Sequence, residues 1–226
     1  MIEVAGGTIV VFADIACPWS HLATHRMWVT RERLGLYDKV TFDHRAFPLE
    51  IFNERPTPKW ILEAEVPVAG GLEPAAGWKS WRRPSWEWPG STLLALEAVQ
   101  AAKIQSLRAG EQLARALRAG LFAENRCITM RHEILDIASG CDKVDVALLR
   151  DDLDRGTCRK RVLDDKEEAE KNGVKGSPHL FLADGSDAHN PGINMRWERS
   201  AGGGFPIVEE DRPAVYEELL NRAAST

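Results

Sequence analysis

The sequence predicts an α/β domain whose two halves are separated by a block of helices. A β-branched apolar run, GTIVVFAD at 7–14, precedes a helical pattern that Pro18 begins and Gly35 ends, and the alternating run KVTFDHRAF at 39–47 follows. This strand–helix–strand order favours a βαβ unit with a parallel pair of strands. Strand patterns return only in the last third of the chain, where they again alternate with helices.

The middle of the chain has a different character. Seven prolines between Pro48 and Pro89 predict irregular structure up to about Gly90. Ser91 or Thr92 then offers an N-cap for the first of four helical patterns. These patterns are STLLALEAVQAAKIQS, EQLARALRAGLFAEN, MRHEILDIAS and VDVALLRDDLD. Their short connections predict one compact helical unit.

The last third predicts a charged helix at 158–174, a strand over SPHLFLADG at 177–185, a further strand over INMRWER and a terminal helix over RPAVYEELLNRAA. We therefore divide the chain into a first half of the α/β domain at 1–50, a helical insertion with a Trp/Pro-rich loop at 51–157, and a second half at 158–226.

Composition excludes several classes of function. The 226 residues are 44% hydrophobic and 28% charged, with a net charge of −5, as in an ordinary soluble protein. An acidic balance argues against nucleic-acid binding, and no apolar run is long enough to cross a membrane. The start contains Glu3 and no basic stretch, so we expect no secretory signal and a cytoplasmic protein. A homodimer is compatible with the sequence.

Cys17 is the strongest candidate for a reactive group. It lies in CPWS, at the predicted strand-to-helix junction, where free N–H groups and the helix dipole favour a thiolate. Such positions lower a thiol pKa to roughly 3.5–7.5. Ser20 lies one turn on, where its hydroxyl reaches the sulfur, and a protonated His21 would favour the thiolate further. The alternative is a buried, inert cysteine.

The other candidates carry weaker signals. Cys127, Cys141 and Cys158 are expected to pack as small apolar residues, although the basic neighbours of Cys158 would lower its pKa. The segment WKSWRRPSWEWPG at 78–90 supplies four tryptophans and two arginines for a groove, or simply for packing. The pair His21 and His25 lacks the glutamate of a metalloprotease helix, so no metal site is expected.

FADIACPWSHL resembles the active-site segment of the DsbA family, thioredoxin-fold thiol–disulfide oxidoreductases with a helical insertion. FDHRAFPLEIFNERP, STLLALEAVQAA and GVKGSPHLFLADG are similar to segments of its FrnE-type members. The resemblance spans nearly the whole chain and implies a thioredoxin-like fold with an all-α insertion. It implies that Cys17 is the attacking cysteine, that Pro178 is the family's cis-proline, and that Ser177 faces the bound substrate. Pro18, Trp19 and His21 would adjoin that substrate, and His179 follows Pro178.

Ser20 stands where this family has its resolving cysteine. A two-cysteine enzyme releases a mixed disulfide through its second thiol, so Cys17 alone would need an external small thiol such as glutathione, with no tightly bound cofactor. The resemblance thus implies a thiol–disulfide oxidoreductase or isomerase acting on a protein or small-molecule disulfide or thiol. The alternatives are a thiol-dependent enzyme like 2-hydroxychromene-2-carboxylate isomerases or kappa-class glutathione transferases, or a non-catalytic thiol- or peptide-binding module.

Overall fold

The central sheet is built on the first apolar run. The computed structural model describes residues 2–199 and 203–226. Strand β1 (Thr8–Ala13) lies between β2 (Thr41–Ala46) and β3 (His179–Leu182), and β4 (Asp187–His189) completes the order β2-β1-β3-β4. The β1–β2 pair is parallel and β3 runs antiparallel to β1. The predicted βαβ unit is confirmed; the short edge strand β4 was not predicted.

Helix α1 (Pro18–Arg33) connects the parallel strands. Cys17 is its N-cap residue, with an extended backbone, and Pro18 occupies the first turn, where a missing N–H costs nothing. Gly35, at a φ of 64°, follows the end of the helix, where its left-handed conformation suits glycine. Local sequence signals therefore suffice to place Cys17 at a helix N-terminus.

The two faces of the sheet carry different cores. Ile9, Val11 and Ala13 of β1 pack with α1 and with the terminal helix α9 (Val215–Ala224). Val10 and Phe12 point to the opposite face, where they pack with Phe47. This alternation follows from the period of two in a strand. The carboxyl end of β1 leads directly into the Cys17 loop.

The insertion is helical, as predicted. Its predicted members are α4 (Leu93–Gln105), α5 (Leu107–Phe122), α6 (Arg131–Ser139) and α7 (Val146–Arg155), and the charged helix α8 (Arg159–Lys171) follows. Their shared core extends to Ile15 and Ala16, the residues just before Cys17. The insertion and the Cys17 loop therefore share one core.

A buried ion pair fixes the insertion on α1. Arg31 donates to both carboxylate oxygens of Glu111 on α5, at 2.9 and 2.5 Å. Arg31 is fully buried and Glu111 is 4% exposed. The guanidinium of Arg31 also lies 4.4 Å from the ring centroid of Phe42.

Residues 48–90 are more regular than predicted. Helix α2 (Leu49–Phe52) and the longer α3 (Lys59–Leu72) lie in this segment, and α3 continues through Pro67. Its buried residues Leu62, Val66 and Ala69 recur at helical spacing. The apolar contacts of that stripe offset the disfavoured interior proline. The rest of the segment, residues 53–58 and 73–92, consists of irregular chain and short 3₁₀ turns.

A two-stranded hairpin lies apart from the central sheet. It pairs β5 (Ile193–Glu198) with β6 (Phe205–Asp211) in antiparallel register. Only β5 was predicted, because FPIVEED contains a proline and lacks a clean alternation of polar and apolar residues. Strand β6 packs against α3. Among the described residues no helix combines the length and the apolar character needed to cross a membrane.

Candidate active site

Cys17 lies beneath a cover formed by α3 and the β5–β6 hairpin. Its side chain is 5% exposed, and its Sγ donates a hydrogen bond to the backbone oxygen of Ser177 at 3.1 Å. It packs in one apolar cluster with Trp19, Leu22 and Ala69. The residues that pack around this cluster are Leu49, Val68, Leu72, Trp78, Ile193, Met195 and Val208.

The loop before β3 meets the start of α1 through serine hydroxyl groups. The Ser177–Pro178 peptide bond is cis, as the resemblance implies. Ser177 Oγ accepts a hydrogen bond from the N–H of Asp14 at 2.9 Å and shares another with Ser20 Oγ at 2.7 Å. The predicted residues Cys17, Ser20 and Ser177 therefore come together.

Ser20 is fully buried. Hydrogen bonds from its hydroxyl and its N–H act on the Cys17 sulfur and favour the thiolate. The serine thus adjoins the sulfur, as its position one turn along the helix predicts. A serine hydroxyl stays protonated at neutral pH and cannot replace a resolving thiol in disulfide exchange.

The predicted low pKa of Cys17 is wrong for this closed arrangement. Burial, and to a lesser extent the Glu65 carboxylate, raise the pKa of the thiol from its ordinary value of 9.0 to about 11, although hydrogen bonds with Ser177 and Ser20 act in the opposite direction. The helix N-terminus does favour a thiolate. The cost of removing a charge from water exceeds that effect here.

His21 is not the cationic partner that we predicted. Burial lowers its pKa to about 4, so the ring is neutral at neutral pH. Its Nε2–H donates to the oxygen of Ala76 at 3.0 Å. The ring stacks on Phe122 and meets Trp78 edge-on. These neighbours come from distant parts of the chain, so the helical spacing from Cys17 did not reveal them.

Trp19 is buried and points toward a carboxyl group rather than to solvent. Its Nε1–H donates to Glu65 Oε1 of α3 at 3.0 Å. Burial raises the pKa of Glu65 to about 7, and the hydrogen bond from Trp19 opposes the rise. Glu65 is therefore a carboxyl group near Cys17 that exchanges its proton close to neutral pH.

Arg118 of α5 is a second charged group that the sequence reasoning missed. Its guanidinium is 1% exposed and donates to the backbone oxygens of Asp14 at 3.2 Å and Ala114 at 3.0 Å. Its Nε has no hydrogen-bond partner among the described residues. Burial lowers the pKa of Arg118 to about 10, and the charges of Cys17 and Asp14 oppose this. The sequence signal was a lone arginine on the apolar stripe of α5.

Asp14 ties the Cys17 loop to its neighbours. Its carboxylate accepts hydrogen bonds from the N–H groups of Ala16 and Leu49 and from the hydroxyl of Thr92, at 2.8, 2.9 and 3.0 Å. Of the two predicted N-cap residues, Thr92 makes no capping bond of its own, whereas Ser91 Oγ accepts from the N–H of Leu93 at 3.3 Å. Glu50 also accepts from the N–H groups of Thr92 and Leu93.

The tryptophan-rich segment at 78–90 mainly packs against the helical insertion. Three of its tryptophans contact the helical core, whereas Trp86 is 85% exposed. Arg83 forms ion pairs with Glu87 and Glu133, so its charge is already compensated. Trp78, through its contact with His21, is the member of this segment that reaches the site.

The remaining sequence candidates lie in ordinary surroundings. His179 donates to Asp187 through Nε2 and accepts from the N–H of Lys175 through Nδ1. All four cysteines are free and buried. Burial raises the pKa of Cys158 despite its basic neighbours, so the predicted lowering is wrong. Cys158 lies in the helical core, apart from the cluster that holds Cys17.

Comparison with protein families identifies this architecture. The model of the family described as DSBA-like thioredoxin domain matches residues 8–198. The chain belongs to this family. The match begins at β1 and ends with β5, so it includes Cys17, the whole insertion and Pro178. Comparison with curated protein sequences gave no match.

Solved structures show the same fold at low sequence identity. A probable DsbA oxidoreductase from Streptomyces coelicolor is 20% identical, with a TM-score of 0.68 over 96% of this chain and 90% of that one. The cytosolic disulfide reductase DsbM from Pseudomonas aeruginosa, solved with GSH, is 15% identical, with a TM-score of 0.59 over 77% and 85%. A 2-hydroxychromene-2-carboxylate isomerase is 13% identical, with a TM-score of 0.57 over 80% and 87%. These likenesses establish a thioredoxin-like fold with a helical insertion.

Proposed function

We propose that this DSBA-like protein is a thiol–disulfide oxidoreductase or isomerase that acts through Cys17 alone and is resolved by an external small thiol. The observation that carries the proposal is the contact of Cys17 Sγ with the Ser177 backbone at 3.1 Å, with Ser20 in place of a second thiol. Ser20, Ser177 and Pro178 would position the reacting sulfur and its substrate. A reducing compartment such as the cytoplasm would supply the small thiol.

The proposed reaction consists of two exchanges. The Cys17 thiolate attacks one sulfur of a disulfide, the new S–S bond forms as the old one breaks, and the other sulfur leaves as a thiolate that takes up a proton. A small external thiolate then attacks the substrate sulfur of this mixed disulfide and releases Cys17. Two electrons pass between thiols and disulfides, and no further oxidant is needed.

Two charged groups of the insertion would control the protonation of Cys17. Arg118 favours the thiolate, because a buried cation gains from an anion nearby. Glu65 opposes the thiolate when it is ionised, and it can accept a proton near neutral pH. Substrate entry between α3 and the hairpin would bring polar groups to the sulfur and so reduce the cost of ionising the buried thiol. Arg118, Ser20 and Ser177 would then stabilise the thiolate as it attacks the disulfide.

The cover over Cys17 supports a small substrate. A thiol that is 5% exposed cannot reach a disulfide on a folded protein unless α3 and the hairpin separate. A low-molecular-weight disulfide needs a smaller opening. We therefore propose that the substrate disulfide is a small molecule or an extended peptide end.

The experiment is capture of the intermediate. Purified protein is incubated with glutathione disulfide and analysed by intact-mass spectrometry, with Cys17→Ala and Cys158→Ala as matched variants. We expect a glutathione adduct on the wild type and on Cys158→Ala, removed by added glutathione, and no adduct on Cys17→Ala. A wild type without an adduct at Cys17, or with an adduct that added glutathione leaves in place, contradicts the proposal.

A second candidate function is a thiol-dependent isomerase or transferase. The closed apolar surroundings of Cys17, together with Glu65 as a proton-exchanging group, favour chemistry on a small electrophile. In that reaction the bound small thiol would be the nucleophile. Turnover of a small apolar electrophile with glutathione that persists in Cys17→Ser would therefore support this candidate, whereas disulfide exchange requires the Cys17 sulfur.

A further inference from the structure

A cavity of about 220 Å³ lies between α1, α5 and the end of α6. Thr24 and His25 of α1 form one wall, Arg115 and the small residues Ala116 and Ala119 of α5 form another, and Cys141 lies at the end of α6. The volume equals that of about seven water molecules in the liquid. The cavity can therefore hold a small organic molecule.

Arg115 brings an unpaired positive charge to this cavity. Its guanidinium lies 3.7 Å from the ring centroid of Trp28, which fixes it in place. No acidic side chain within the described residues forms an ion pair with it. The nearest acid on its own helix, Glu111, already pairs with Arg31 and Arg108. Burial lowers the pKa of Arg115, and the charges of Glu111 and Glu32 act in the opposite direction without forming an ion pair with it.

Thr24 adds an unpaired hydroxyl group. The residue is 2% exposed, it lines the cavity, and its Oγ1 has no hydrogen-bond partner within the described part of the chain. Buried polar groups nearly always have a partner in the protein, in ordered water or in a ligand. A buried hydroxyl group without a partner and a guanidinium without an ion pair, on facing helices, indicate a polar ligand.

His21, Gln112 and Cys141 have hydrogen-bond partners of their own, whereas His25 lies beside a carboxylate without a hydrogen bond to it. His21 donates to Ala76 and is neutral at neutral pH. His25 lies 3.9 Å from Glu73, and burial lowers its pKa. Gln112 donates to Asp142 and accepts from the N–H of Lys143. The Cys141 thiol donates to Ile137. Arg115 is therefore the cation at this cavity that forms no ion pair among the described residues.

We propose that this cavity is a binding site for a small organic carboxylate of about the size of benzoate. The carboxylate would accept hydrogen bonds from the Arg115 guanidinium and the Thr24 hydroxyl, and the apolar part would pack against Ala116 and Ala119. One guanidinium matches a monoanionic carboxylate in charge and in its two-oxygen geometry, whereas a phosphate dianion would stay uncompensated. The site does not depend on the chemistry of Cys17.

The test is ligand-observed ¹⁹F NMR with 4-fluorobenzoate as the probe. We expect the 4-fluorobenzoate signal to broaden in the presence of the wild type and of Cys17→Ala. The signal of neutral 4-fluorobenzyl alcohol, measured in a separate sample, should stay sharp. Arg115→Gln should weaken binding by roughly tenfold or more, and Thr24→Val, which keeps the shape of the side chain, should weaken it severalfold. Arg33→Gln, an exposed arginine on α1, should leave it unchanged.

Four outcomes overturn the proposal. The first three are no broadening with the wild type, equal binding of the neutral alcohol, and wild-type affinity in both Arg115→Gln and Thr24→Val. Stronger displacement of the probe by inorganic phosphate than by benzoate also overturns it, because the site would then select phosphate. Circular dichroism melting of each variant separates lost binding from lost folding. Since Cys17→Ala is expected to bind, failure of the proposed function does not affect this result.

Discussion

The first prediction is a raised pKa of Cys17, which follows from the burial of its thiol under α3 and the hairpin. Burial places the pKa of this thiol at about 11, against an ordinary value of 9.0. Because only the thiolate reacts with iodoacetamide, the rate at pH 7 should be about a hundredfold below that of an exposed cysteine. The rate should rise about tenfold for each pH unit and level off only near pH 11.

The assay is the alkylation rate of the Cys17 peptide as a function of pH, read by mass spectrometry so that the other three thiols are resolved. The urea-unfolded protein is the control and should titrate at the ordinary value. Glu65→Gln removes a negative charge near the sulfur and should lower the midpoint. Arg118→Gln removes the buried cation and should raise it.

A midpoint at or below 9.0 in the native wild type refutes this reasoning. It would mean that the sulfur is hydrated in solution and that the helix N-terminus outweighs burial. If neither Glu65→Gln nor Arg118→Gln changes the midpoint, these two residues do not influence the pKa of Cys17. The rate in a glutathione-saturated sample would then show whether a ligand alone displaces the cover.

Three further predictions concern the site and its supports. Ser20→Cys should form an internal disulfide with Cys17 on oxidation and release bound glutathione without added small thiol. A glutathione adduct on this variant that persists without added thiol, seen by intact-mass spectrometry, argues against the prediction. His44 has both ring nitrogens unpaired within the described structure and a pKa lowered to about 3 by burial. Its neutral form stabilises the fold above pH 6.5, and this contribution falls as the pH drops toward 3. The wild type should therefore lose about 2 kcal/mol between pH 6.5 and 4.5 through this group, a loss absent from His44→Leu in urea unfolding. Arg31→Met should cost about 3–5 kcal/mol in the same measurement, because Glu111 stays buried without its main partner; a cost below 1 kcal/mol would show that water reaches Glu111.

Local patterns were sufficient to locate the reactive thiol. Pro18 and Gly35 bound helix α1, and the apolar run before Asp14 gives β1, so Cys17 had to lie at their junction. Residues on one helix keep fixed neighbours, which is why Ser20 could be placed beside the sulfur. The same reasoning failed for His21, because its ring environment comes from Trp78 and Phe122 and not from its own helix.

Helix α3 shows the opposite case. Its interior proline predicts a break, yet the stripe of Leu62, Val66 and Ala69 is buried against the rest of the protein, and that burial outweighs the local preference. The prolines on either side concealed the pattern in a segment that predicts irregular structure. Glu65, on the same helix, could not be recognised as a neighbour of Trp19 for this reason.

The sequence by itself determined the βαβ start, the helical insertion, the position of Cys17 at a helix N-terminus and the absence of a second thiol at Ser20, because each depends on residues close together in the chain. Tertiary structure decided the protonation of that site. The free energy of a charge depends on every group within several ångströms and on access to water, and Glu65, Arg118 and the hairpin reach Cys17 from distant parts of the chain. The CPWS motif therefore carries a buried, protonated thiol in this closed fold.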